Sequence, residues 1–118
     1  MDCKELRVWK ESRVLVKNIY LLSAKFPKEE LFGLTNQVRR AAVSIPSNIA
    51  EGYNRHSDNE LLHFLKIAKG SAAEVETQMI LAMDLGYLTK EDSDKILDQI
   101  NKMIQMLGSF ISAVKERI

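Results

Sequence analysis

A chain of 118 residues with 46% hydrophobic and 28% charged side chains has the size and balance of one globular domain, here taken as 1–118, and not of a disordered polymer. Seventeen Lys and Arg against sixteen Asp and Glu leave a net charge of +1, so bulk electrostatics make no case for nucleic acid or membrane and any basic site must be local. No stretch approaches the roughly 18 apolar residues of a membrane span, the charged N-terminus lacks a secretory signal, and a lone Cys3 forms neither disulfide nor zinc site, which leads to the expectation of a cytoplasmic protein with an incidental terminal thiol.

The spacing of Val8, Leu15, Ile19 and Leu22 predicts a first helix from about Leu6 to Ala24, with Phe26 extending its apolar face towards Pro27. Trp9, Val16 and Tyr20 lie beside that stripe. On the opposite face Lys10, Arg13 and Lys17 fall within about 60° of one another, with Arg7 at the margin. Leu34, Val38, Ala41, Ile45 and Ile49 mark a second helix from about Gly33 to Glu51, stopping at Gly52 and kinked by Pro46, whose ring crowds the carbonyl of Ala42. This segment holds Arg39 and Arg40 with no acid between Leu31 and Ala50, followed by Arg55, and neutral hydrogen-bonding groups at Asn36, Gln37, Ser44, Ser47 and Asn48.

Ser57 and Glu60 have capping-box spacing, so a third helix opens there and carries Leu61, Leu65, Ala68, Ala72, Val75, Met79 and Ala82 before Gly86. A fourth opens at Thr89, with Asp92 in the reciprocal position. Its main stripe is Ile96, Ile100, Met103, Leu107, Phe110 and Val114, and a second stripe of Leu97, Ile104, Ile111 and Ile118 lies about 80° round the helix. One neighbouring helix does not cover both stripes, so Leu97, Ile104 and Ile111, with Trp9 and Tyr20 of the first helix, are expected at a subunit interface; the alternative is a broad core within the single chain. No segment alternates with the period of a strand. The fold expected is all-α, an antiparallel up-down four-helix bundle.

Catalytic chemistry finds no footing. Glu60-x-x-His63 has the spacing used in di-metal bundles, but no second copy exists, and His63 points about 160° away from the apolar face set by Leu61 and Leu65. His56 and His63 pair with no nucleophile, and the glycines are too scattered for a phosphate loop, so neither enzyme activity nor a metal or cofactor is expected. The clustered cations with hydrogen-bonding neighbours suit phosphate backbones, which need charge and donors and not base-reading geometry.

The run from Gly33 to Gly52, which reads GLTNQVRRAAVSIPSNIAEG, resembles the signature of the four-helix bundle proteins encoded by intervening sequences in bacterial 23S rRNA genes. Val8-Trp9, Ile19-Tyr20, Phe26-Pro27, Phe64-Leu65, Gly70-Ser71, Glu74, Glu76 and Leu85-Gly86-Tyr87-Leu88 extend the resemblance along nearly the whole chain. Asn54 stands where glycine is expected, a residue that also tolerates a left-handed turn. The resemblance implies a non-enzymatic bundle, a ring-like homopentamer, sometimes labelled a ribosomal protein and related to an accessory protein of diversity-generating retroelements that binds nucleic acid and a reverse transcriptase. Arg39 and Arg40 are the basic residues it points to. The functional expectation is nucleic-acid binding with little sequence specificity, through Arg39, Arg40, Lys10, Arg13, Lys17 and Arg55; the alternative is an assembly adaptor that holds a partner protein.

Overall fold

A computed structural model describes residues 2–118. Its helices are α1 (Arg7–Ser23), α2 (Leu34–Tyr53), α3 (Asp58–Asp84) and α4 (Lys90–Glu116), with 3₁₀ turns at Cys3–Glu5 and Lys28–Glu30 and no strand among the described residues. Cross-helix pairs fix the directions. Asn18 of α1 and Lys25, just past its end, meet Gln99 and Asp92 of α4, so one helix ascends as the other descends. Gly52 of α2 lies against Leu61 and Phe64 while Ser44 bonds Ser71, and Asp58 of α3 pairs with Arg117 beyond α4 while Lys69 approaches Gly108. The result is an antiparallel up-down bundle, 45 Å along its longest axis, about what a 27-residue helix spans at 1.5 Å per residue.

Every core position of α3 named from the sequence is buried, as are Leu15 and Ile19 of α1, Val38, Ile45 and Ile49 of α2, and Ile100, Leu107 and Val114 of α4. α2 and α3, which bury small alanines at 41, 42, 68, 72 and 82, form the most extensive helix pair; α1 against α4 is the least. α2 runs unbroken through Pro46. Its C-terminus departs from expectation: Gly52 is the penultimate helical residue, and Asn54 closes the helix in a right-handed conformation at φ −82°. Glycine is needed for proximity and not for a turn, since a Cβ at 52 would stand 2.8 Å from Phe64 Cβ. The left-handed position belongs to Gly86 (φ 78°), where Tyr87 N–H donates to Ala82 O and Gly86 N–H to Met83 O in a Schellman closure of α3.

Ser57 and Thr89 cap α3 and α4 through their side-chain oxygens, but the reciprocal carboxylates are drawn elsewhere. Glu60 faces Arg55 at 3.6 Å and Asp92 pairs with Lys25 at 3.1 Å, so each box is half made and the spare acid becomes a tertiary ion pair. Cys3 is also corrected. It is buried in the core cluster, where burial first and the neighbouring Asp2 charge second push its thiol above the ordinary range.

The second stripe of α4 is not left bare by the single chain. Ile111 is only 7% exposed, and Leu97 and Ile104 are half-buried against the core, while Ile118 is exposed. α4 lies between α1 and α3, so two neighbours share its two stripes. Among the described residues the most exposed large apolar side chain is Phe32, at 91%, in the α1–α2 connection, and Val14 and Leu21 are exposed on α1.

Candidate nucleic-acid interface

Along α1, Lys10, Arg13 and Lys17 recur at i, i+3 and i+7 and are exposed; Tyr20 at i+10 completes the row. The Arg13 guanidinium lies 5.5 Å from the Trp9 ring centre, so Trp9, expected at a subunit interface, serves in the single chain as a platform for a cation.

At the end of α1 the row passes to α2. Arg39 Nε donates to Ser23 Oγ at 2.8 Å, Nη2 reaches Tyr20 O at 3.4 Å, and the guanidinium stacks on the Tyr20 ring. A cation at the last turn of a helix meets the negative end of its dipole, so Arg39 helps hold α1 to α2. Tyr20 is 41% exposed and remains open on its outer side. Arg40, next along α2, is exposed and makes no hydrogen bond or ion pair among the described residues.

Arg40 stands on a ridge between two depressions that share Asn36, Arg40 and Ser44. One, of about 540 Å³, has Tyr20, Arg39 and Val43 for its other walls. The other, of about 420 Å³, lies between α2 and α3 and is completed by Gln37, Ala41, Ser71, Glu74 and Gln78. Its floor is tied: the Ser44 and Ser71 hydroxyls lie 2.9 Å apart, and Asn48 Nδ2 donates to Ser44 Oγ and to Ser44 O, each at 2.8 Å. Gln78 Oε1 is the single buried side-chain polar atom without a hydrogen-bond partner among the described residues.

Thus five of the six expected cations, Lys10, Arg13, Lys17, Arg39 and Arg40, join in one surface through Tyr20. Arg55 does not. It lies at the far end of α2, donates to Glu51 at 2.6 Å, faces Glu60 and covers the Phe64 ring, so two carboxylates and a ring already occupy its charge. Ser47 is exposed outside both depressions. His63 lies edge-on to Phe64, and no three potential metal ligands cluster among the described residues. Sequence reasoning missed Glu74 and Gln78 as site residues. Their signal was present as a polar row of Ser71, Glu74 and Gln78 beside the apolar row of α3, but its facing partner depended on the register of α2.

A family model described as 23S rRNA-intervening sequence protein covers residues 4–109. A crystal structure of a protein of unknown function, from the S23 ribosomal protein family of Bacteroides thetaiotaomicron, superposes with a TM-score of 0.82 at 26% identity, over 88% of this chain and 97% of that one. No curated protein matches the sequence.

Proposed function

Because the chain belongs to the 23S rRNA-intervening sequence protein family, we propose that it is a non-enzymatic bundle that holds nucleic-acid backbones on its joined α1–α2 face, mostly without regard to sequence. The observation that carries this reading is the continuity of Lys10, Arg13, Lys17, Tyr20, Arg39 and Arg40 across two helices. Exposed cations along a row engage successive phosphates, and an open aromatic ring among them offers a stacking face to a base. In this reading the protein works in the cytoplasm as a homo-oligomer, a ring-like pentamer as the family resemblance implies, which multiplies the basic face around the assembly.

The test is salt dependence. Binding of a labelled oligonucleotide should weaken steeply with ionic strength, and a Lys10→Ala/Arg13→Ala/Lys17→Ala variant should bind more weakly with a shallower slope. Wild-type binding that is absent at low salt, or that ignores salt, sinks the reading. The exposed Phe32, with Leu31 beside it and Leu85 at the same end of the bundle, favours a second reading, an adaptor that docks a partner protein there. Such a contact is apolar and should survive salt that strips nucleic acid.

A further inference from the structure

We propose that the polar depression between α2 and α3 receives one unpaired guanine base of a single-stranded nucleic acid. The inference rests on the nucleic-acid reading above and adds to it the kind of strand and the base at one position.

The depression is asymmetric in its hydrogen-bonding needs. On the α3 wall Glu74 and Gln78 stand one turn apart on the same face, and they present a carboxylate and an amide oxygen. Glu74 has no cation within ion-pairing distance among the described residues, and Gln78 Oε1 is buried with no donor. A buried acceptor without a donor is unfavourable, and a ligand rich in N–H groups would satisfy it and the carboxylate together. Across it stands Arg40, a donor-only side chain suited to a carbonyl or phosphate oxygen.

Among the nucleobases, guanine has the matching edge. Its N1–H and exocyclic N2–H₂ lie side by side and satisfy a carboxylate with two parallel hydrogen bonds, leaving a further N2–H for an amide oxygen. Its O6, on the same edge, is an acceptor for Arg40. Adenine and cytosine place an acceptor ring nitrogen beside their amino group, which would oppose the carboxylate. Uracil has a single N–H flanked by two carbonyls. The edge concerned is the Watson–Crick edge, so the base must be unpaired, as in single-stranded recognition generally.

Size and rigidity agree. About 420 Å³ lies within the range of small-ligand clefts, and the Ser44–Ser71 bond with Asn48 fixes the floor in place. The adjoining depression, walled by Tyr20, Arg39 and Val43, gives the next base a ring and a guanidinium to stack on, and Arg40 on the shared ridge meets the phosphate between them.

Fluorescence anisotropy with short oligouridylates that carry one central guanosine, adenosine or inosine decides the matter. Wild-type protein should bind the guanosine strand about tenfold more tightly than the adenosine strand, the worth of one bidentate base contact. Inosine, which lacks the N2 amino group, should fall between, and pairing the strand with its complement should remove the preference. Glu74 is exposed, so Glu74→Gln should fold as the wild type does and lose the guanosine preference while still binding plain oligouridylate. Equal affinity for the guanosine and adenosine strands, or a Glu74→Gln protein with its preference intact, overturns this inference and leaves backbone binding standing. No affinity for any strand at low salt overturns both.

Discussion

The Arg39 guanidinium lies 4.7 Å from the centre of the Tyr20 ring, so the cation that joins the two halves of the basic face also fastens α1 to α2. Arg39 and Arg40 are adjacent in sequence and differ in what they do. Arg39→Ala should lower stability by about 1–2 kcal/mol, from the lost Ser23 hydrogen bond and cation–π contact, in addition to weakening nucleic-acid binding. Arg40→Ala should weaken binding with a stability change within about 0.5 kcal/mol, as for a surface residue with no partner. Urea denaturation of the two single variants separates them, and equal losses of stability would refute the division of roles.

Gly52 and Gly70 should respond in opposite directions to alanine. At 52 the new Cβ would meet Phe64 Cβ at 2.8 Å and Leu61 O at 3.3 Å, both across the tightest seam of the bundle. Gly52→Ala should therefore destabilise by about 1–3 kcal/mol, the usual range for overpacking. Gly70 lies mid-helix with nothing within 4 Å of its Cβ position, so Gly70→Ala should stabilise by about 0.5–1 kcal/mol. Thermal melts of the two proteins check both signs.

Tyr87 supplies a pH-dependent tie between the two loops at one end of the bundle. Its hydroxyl donates to Glu30 Oε2 at 2.8 Å, and Glu30 Oε1 accepts from Leu34 N–H at the start of α2. That hydrogen bond, then burial and the nearby negative charges of Glu30 and Glu29, hold the phenol above its ordinary value. A raised folded-state value favours the protonated form, so the contribution is complete below the unfolded-state pKa and disappears as pH climbs through the folded one. The stability gap between wild type and Tyr87→Phe should be constant near neutrality and close above about pH 10, the range where tyrosine ionises. A gap that persists in strong alkali would show that the ring and not the hydrogen bond makes the difference.

The two isoleucines of the second α4 stripe should also part company. Ile111 is buried within one chain, so Ile111→Glu should unfold the protein and lose helix content. Ile104 is half-buried, and in the oligomer proposed above Ile104→Glu should break assembly while helix content survives. Analytical ultracentrifugation with circular dichroism reads both, and a wild-type monomer at micromolar concentration would remove the oligomer.

The helices were legible because their apolar residues keep helical register for many turns, and Ser57 and Thr89 announced two of the starts. Where sequence reading failed, a local residue had a distant reason. Gly52 looked like a stop signal and is a contact point for α3; Asn54 looked like a left-handed turn and is an ordinary right-handed cap. Ile111 stood beside a complete first stripe, and its burial within one chain depends on α4 packing against both α1 and α3. The same limit applies to the site. Each cationic group could be read on its own helix, but their union through Tyr20 and the approach of Glu74 and Gln78 to Arg40 depend on cross-helix register, of which the Ser44–Ser71 bond is one fixed point.

The unequal seams of the bundle give it an internal order of opening. α2 and α3 share the broadest contact, whereas α1 meets α4 over the narrowest, held by the Asn18–Gln99 hydrogen bond and the Lys25–Asp92 pair. Amide hydrogens of α1 should therefore exchange with solvent faster than those of α3. α1 also carries Lys10, Arg13 and Lys17, so a polyanion spanning these and Arg40 would bridge the most readily detached helix to the firmest pair. Occupancy would slow the exchange of α1 more than that of any other helix, and the ligand would act as a strap that makes the bundle's weakest closure its most protected.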